Sequence, residues 1–201
     1  MGIFDKFFGK TEKEKISKPI KNSDFIVSED LMEEELFWNI IQKTKDISGG
    51  NFEEQQEELA NELRKMKADE LILFGNSFRN FRGEANTWEL WGAIYIIHGG
   101  CSDDSFSDFR EWVIAQGREF YYKITTNPEL LAEIETHLIE EFDWEGFGYL
   151  PGIIFEELTG HEMPYPFKEK YITTGNEWSD DNDDLKHMFP KLYAKYVTNM
   201  Q

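Results

Sequence analysis

Residues 87–100 read TWELWGAIYIIHGG, and this stretch decides the fold. Trp88, Trp91, Tyr95 and His98 recur at spacings of three, four and three, one stripe of a helical wheel. Leu90, Ile94 and Ile97 make a second stripe. A helix apolar nearly all round is stable only when neighbours cover it, so the spacing predicts a buried helix. Asn86-Thr87 predicts its start. Gly99-Gly100 predicts its end, because glycine readily takes the left-handed conformation that closes a helix.

Upstream, the same period predicts three helices. Asp30 with Glu33 resembles a capping box ahead of Leu36, Phe37, Ile40, Ile41 and Ile47, and Gly49-Gly50 ends that run. Asn51 can cap a second helix with Phe52, Leu59, Leu63 and Met66 on one face. Its early Glu53, Glu54, Glu57 and Glu58 suit the positive end of the helix dipole. A third helix is predicted from about Asp69 to Phe81 through Leu71, Ile72, Phe74 and Phe78. Downstream, a fifth starts near Ser102 and passes through Phe106, Phe109, Val113 and Phe120. Asn127-Pro128 predicts the start of a sixth, since proline suits a first helical turn. GYLPGIIFEELTG is helical up to Gly160, and a last helix is expected from about Asp183 to Val197, kinked at Pro190. No alternating strand pattern and no internal repeat stands out, so the expected class is all-α.

The 201 residues fit one compact domain, and 31 aromatic side chains supply its core. A single cysteine excludes an internal disulfide. No apolar run reaches the roughly 18 residues that a membrane helix needs. No signal-peptide pattern follows the first methionine, so a cytoplasmic location is expected. The net charge of −19 argues against a nucleic-acid partner, whose phosphates this surface would repel. Residues 1–22 hold six lysines against Asp5, Glu12 and Glu14, a net of +3, which leaves −22 for the rest. The chain is thus read as a basic amphipathic arm or linker, residues 1–22, on an acidic helical domain, residues 23–201. In the arm Ile3, Phe4, Phe7 and Phe8 share one side, which fits weak contact with an anionic membrane surface or a partner groove, or a frayed end folded onto the body. Lys6 stands where a myristoylation motif needs Ser or Thr.

HGGCSDDSFSDFREW, residues 98–112, gathers the residues that could do chemistry. Ser102 or Asp103 can cap the fifth helix, and Asp103 and Asp104 oppose its dipole. Asp104, Asp108, Glu111 and Arg118 lie near one stripe, expected to be a solvated face. Arg110 falls among Phe106, Phe109, Val113 and Ile114, and a buried charge needs an anionic partner. An Arg110–carboxylate pair is expected, with Asp103 two turns back as the candidate. Cys101 follows His98 by three residues at a helix start, where a thiol pKa can be lowered to make a nucleophile. Packing is the plainer role for a lone cysteine. Asp103, Asp104 and Asp108 point in different directions from one helix end and do not make an oxygen-ligand metal site unaided. Asp180-x-Asn182-x-Asp184 opens like an EF-hand loop, but Leu185 replaces its glycine and Lys191 its final glutamate. No metal and no cofactor is expected.

The run Trp88, Leu90, Trp91, Gly92, Ala93, Tyr95 and Ile97, then Gly99 to Asp104, Phe106, Asp108, Phe109, Arg110, Trp112, Ile114 and Gln116 to Glu119, is long and unusual in composition. It resembles the signature of a bacterial family, the domain of unknown function numbered 4240. FWNII at 37–41, Asn127-Pro128, Tyr149 and Leu158-Thr159-Gly160 are similar too. The resemblance covers about residues 30–160, with a C-terminal helical extension after it. It implies a bacterial helical domain and carries no activity with it.

Two functional readings follow. The first is a non-catalytic acidic module that binds a basic protein, as an antitoxin or immunity protein would. Its candidate surfaces are Glu53–Glu58, Glu133–Glu145 and Glu177–Asp184; the middle one holds Glu133, Glu135, Glu140, Glu141, Asp143 and Glu145 and no Lys or Arg. The second is an enzyme, or a small-ligand or metal-binding protein, whose site is built on Asp103, Asp104 and Arg110, with Trp88 and Trp91 as pocket walls and His98, Cys101 and Asp108 nearby.

Overall fold

The computed structural model describes residues 25–135, 139, 146–179 and 182–198. Among them there are nine α-helices, two 3-10 turns and no β-strand, as the all-α reading requires. A single bridge joins Thr87 to Thr174. Residues 1–22, read as a basic arm, lie outside the described residues.

Helix α1 spans Glu34–Ser48, α2 Phe52–Leu63 and α3 Ala68–Glu84. Asn51 caps α2 by accepting the Glu54 N–H at 3.0 Å. The start of α1 differs from the expected Asp30–Glu33 box. Glu33 is itself the cap, and its carboxylate accepts the Glu35 and Leu36 N–H groups at 3.2 and 3.0 Å. Asp30 instead takes the Ser28 hydroxyl. Leu36 and Ile47 are exposed, and Trp38 holds the buried place assigned to Leu36. Phe37, Trp38, Phe74, Phe81 and Tyr121 pack as one aromatic cluster with centroids 4.6–5.5 Å apart. Each such pair adds about 1 kcal/mol to the area it buries.

Helix α4, Trp88–His98, is capped by Thr87 and closed by Gly99 at φ 66°. Helix α5 covers Asp103–Ala115 and is capped by Ser102, whose hydroxyl accepts the Ser105 N–H at 3.2 Å. It is shorter than its periodicity predicts. Gly117 has φ 89°, a conformation that side-chain residues avoid, and a Cβ there would collide with Gln42. The chain turns at Gly117, and α6, Arg118–Thr126, carries Phe120 away from α5.

Asn127-Pro128 opens a 3-10 turn, Pro128–Glu133, and not the expected α-helix. The Ala132 and Ile134 carbonyls at its end accept from the Lys195 ammonium at 3.0 and 2.7 Å. A second 3-10 turn, Phe147–Tyr149, leads into α7, Leu150–Thr159, which Gly160 closes. The last predicted helix is two: α8, Asn182–Met188, and α9, Pro190–Tyr196, separated at Phe189 where Pro190 restarts the spiral. Helix α1 packs on α2, α3 on α7, and α5 on both α1 and α3. Helices α8 and α9 cover α4.

Candidate functional site

The aromatic stripe of α4 is spent on packing. Trp88 stacks on Trp91 at 5.4 Å, and Trp91 stacks on Phe106 at 4.9 Å. The Trp91 indole N–H donates to the Cys101 carbonyl at 3.0 Å. Trp178 closes the layer edge-on to Trp88, packs against Tyr95 and donates its indole N–H to the Trp88 carbonyl at 2.8 Å. Gly92 makes room for this cover, since a Cβ there would stand 2.9 Å from both Leu185 and Trp178.

His98 is exposed, with Nε2 3.3 Å from the Ile139 carbonyl. The Cys101 thiol lies 3.6 Å from the Ser102 carbonyl. Burial, then the charges of Asp103 and Asp108, push this thiol up to about 11. This is the direction opposite to the lowering that a helix start can give, and it fits the packing role. Asp103 and Asp104 are exposed in the first turn of α5, and Asp108 is half-buried.

Among the described residues no carboxylate lies within ion-pair distance of Arg110, contrary to expectation. Its Nη1 donates to the Arg82 carbonyl at 3.0 Å and its Nε to the Phe106 carbonyl at 3.3 Å, with the guanidinium 4.8 Å over the Phe106 ring. Burial and the Arg82 charge bring its pKa down to about 10. The side chain reaches the Arg82 carbonyl on α3 and lies against the Phe106 carbonyl and ring of its own helix; Asp103 is exposed.

The ion pair sits one residue further on. Glu111, placed by the wheel on a solvated face with Asp104 and Asp108, is only 3% exposed. Its carboxylate binds the Arg82 guanidinium and accepts the Gly148 N–H at 2.7 Å. Arg82 also grips Glu169 bidentately, Nε to Oε1 at 2.8 Å and Nη2 to Oε2 at 2.7 Å. Arg79 approaches the same Glu169 at 3.6 Å, donates to the Tyr171 hydroxyl at 3.2 Å and lies 4.8 Å from the Tyr165 ring centre. Burial pushes the Glu111 carboxyl above the ordinary range, against the pull of Arg82 and the Gly148 N–H. Burial opposes the charge on Arg82, but the Glu169 bonds and the Glu111 charge more than offset it and raise its pKa. Gly148 and Gly83 allow the close approach: a Cβ on Gly148 would strike the Glu111 carboxylate, and one on Gly83 would stand 3.1 Å from the Lys170 nitrogen.

This cluster joins α3, α5, the Phe147–Tyr149 turn and the 161–175 segment. The charged atoms of Arg82, Glu111 and Glu169 are used on each other, and the chemistry is that of a clamp. Sequence reasoning missed Glu111, Arg82, Glu169 and Arg79. The available signal was Arg82-Gly83 and Gly146-Phe147-Gly148, small residues beside charge, where a backbone or carboxylate must come close.

Among the described residues, no group of three or more His, Cys, Asp and Glu is placed to hold a metal ion. No helix among them is long and apolar enough to cross a membrane. Glu53, Glu54, Glu57, Glu133, Glu135 and Glu177 are exposed, while Glu140, Glu141, Asp143 and Glu145 lie outside the described residues. No curated protein and no solved structure matches the chain. A family model described as a protein of unknown function, DUF4240, matches residues 32–157, from the residue before the cap of α1 to near the end of α7. That span is well over half of the chain and holds the Trp layer, Arg82, Arg110 and Glu111; the chain belongs to the DUF4240 family.

Proposed function

We propose that this chain is a non-catalytic, acidic protein-binding module whose partner is a basic protein. Charge bookkeeping carries the reading. Among the described residues only two acidic side chains, Glu111 and Glu169, are buried, and the partly buried Arg79, Arg82 and Arg110 surround them. The excess of acid, −19 over the whole chain, is left for the exterior. Glu53, Glu54 and Glu57 form one exposed run on α2, and Glu133 and Glu135 a second beyond the first 3-10 turn. Such a field steers a basic partner in and selects against acidic ones. Holding a toxin domain of opposite charge, in the cytoplasm, is the role this suits.

The test is an affinity pull-down from the source cells at low and at high salt, read by mass spectrometry. A stoichiometric basic protein retained at low salt and lost at high salt is expected. Recovery of no basic protein at low salt overturns the reading.

A further inference from the structure

We infer that the cleft between the start of α7 and the 161–165 segment is a socket for a cationic side chain, arginine or lysine, of the partner protein. This rests on the reading of the chain as a binder of basic protein.

The cleft has a volume of about 360 Å³. Tyr149 and Tyr165 border it, 57% and 43% exposed, with Met163 buried beneath. Large aromatic faces left in solvent beside a cavity are the feature cations bind, through the negative face of the ring. Glu156 and Glu162 stand on the same rim, both exposed and neither in an ion pair among the described residues. Glu157, next to Glu156, is already held by Arg64 at 3.0 Å.

Two features oppose a cation, and both are answered. Arg79 lies against Tyr165, but Glu169 and the Tyr171 hydroxyl engage it. The start of a helix attracts anions through its free N–H groups. At α7 the Leu150 N–H is bonded to the Phe147 carbonyl and Pro151 has none, so that pull is weakened. Gly152 keeps the cleft's shape, since a Cβ there would strike the Tyr165 hydroxyl. The Tyr149 ring and two carboxylates, beside a Tyr165 ring that already carries Arg79, therefore favour a positive, partly apolar guest.

The probe is the capped tripeptide acetyl-Gly-Arg-Gly-amide, titrated into the full chain and followed by backbone amide NMR. Its control carries citrulline, the same shape without charge. Saturable shifts at Gly152, Ile153, Glu162 and Met163 with the arginine peptide only are expected. Tyr149→Ala should weaken that binding about fivefold. The Glu156→Gln, Glu162→Gln double variant should weaken it by a similar factor. Both changes are on exposed side chains, and the dispersion of the other amides checks that the fold persists. Equal binding of the citrulline peptide, or variants that bind as wild type does, overturns the socket. Arginine-peptide shifts confined to the Glu53–Glu57 run overturn the socket and leave the acidic-surface reading standing. Saturable socket shifts together with an empty pull-down overturn the partner reading and leave the cation site.

Discussion

Replacing Arg82 with methionine isolates what the buried cluster contributes. Methionine keeps most of the arginine stem and removes the guanidinium, which makes three charged hydrogen bonds, two to Glu169 and one to Glu111. Both carboxylates stay in place, 3% and 6% exposed. Breaking a buried pair from one side costs about 3–5 kcal/mol, because the stranded charge keeps its desolvation penalty. Glu169 retains Arg79 at 3.6 Å and Glu111 retains the Gly148 N–H, which argues for the lower end, about 3 kcal/mol. For a chain of this size each kcal/mol moves Tm by roughly 2–4 °C, so a fall of roughly 6–12 °C is expected. Urea unfolding followed by tryptophan emission measures the same loss at constant temperature. Glu111→Gln in the Arg82→Met background should restore part of it, since one stranded charge is gone. A loss below about 1 kcal/mol, the worth of an exposed pair, would refute the clamp.

Three further outcomes follow from the same geometry. Arg110→Met removes two bonds to carbonyls, strands no carboxylate and relieves repulsion from Arg82, so it should cost about 1–2 kcal/mol, less than Arg82→Met in the same urea assay. Gly92→Ala gains up to about 1 kcal/mol of helix propensity but forces Leu185 and Trp178 apart at about 1–3 kcal/mol, so Tm should fall and tryptophan emission shift to the red. Cys101 should react slowly with iodoacetamide at neutral pH, with a rate that climbs toward pH 11; a plateau by pH 9 would contradict its burial. Because folding raises this thiol above its ordinary 9.0, the fold holds the proton: that stability is present below pH 9 and is lost as pH rises through about 11.

Local chemistry was legible in the sequence and distant pairing was not. The cap at Asn51 and the helix ends at Gly99 and Gly160 depend on residues within one turn and are where the sequence places them; the starts at Asn86-Thr87 and at Ser102 or Asp103 resolve to caps by Thr87 and Ser102. The buried α4 was legible because its apolar residues leave no solvated face. Glu111 was misread because a helical wheel knows only its own helix. Its neighbours in angle, Asp104 and Asp108, are polar, while its partner Arg82 lies 29 residues away. Arg110 was rightly seen as embedded among apolar residues, but its partners are carbonyls, which no sequence pattern marks. The break at Gly117 was legible in principle; a helical period ran on to Phe120 and hid it. Pro128 gave a start signal without saying which kind of turn would follow, and the Lys195 contact to its end comes from the far end of the chain.

Isothermal titration of the captured basic partner at rising salt puts the acidic exterior to the most direct test. Wild type and the Glu53→Gln, Glu54→Gln, Glu57→Gln variant are measured side by side. Kd should rise by about tenfold or more between about 50 mM and about 500 mM salt, and the variant should bind more weakly at low salt. A Kd that ignores both salt and the three substitutions would contradict a partnership driven by the acid of this surface.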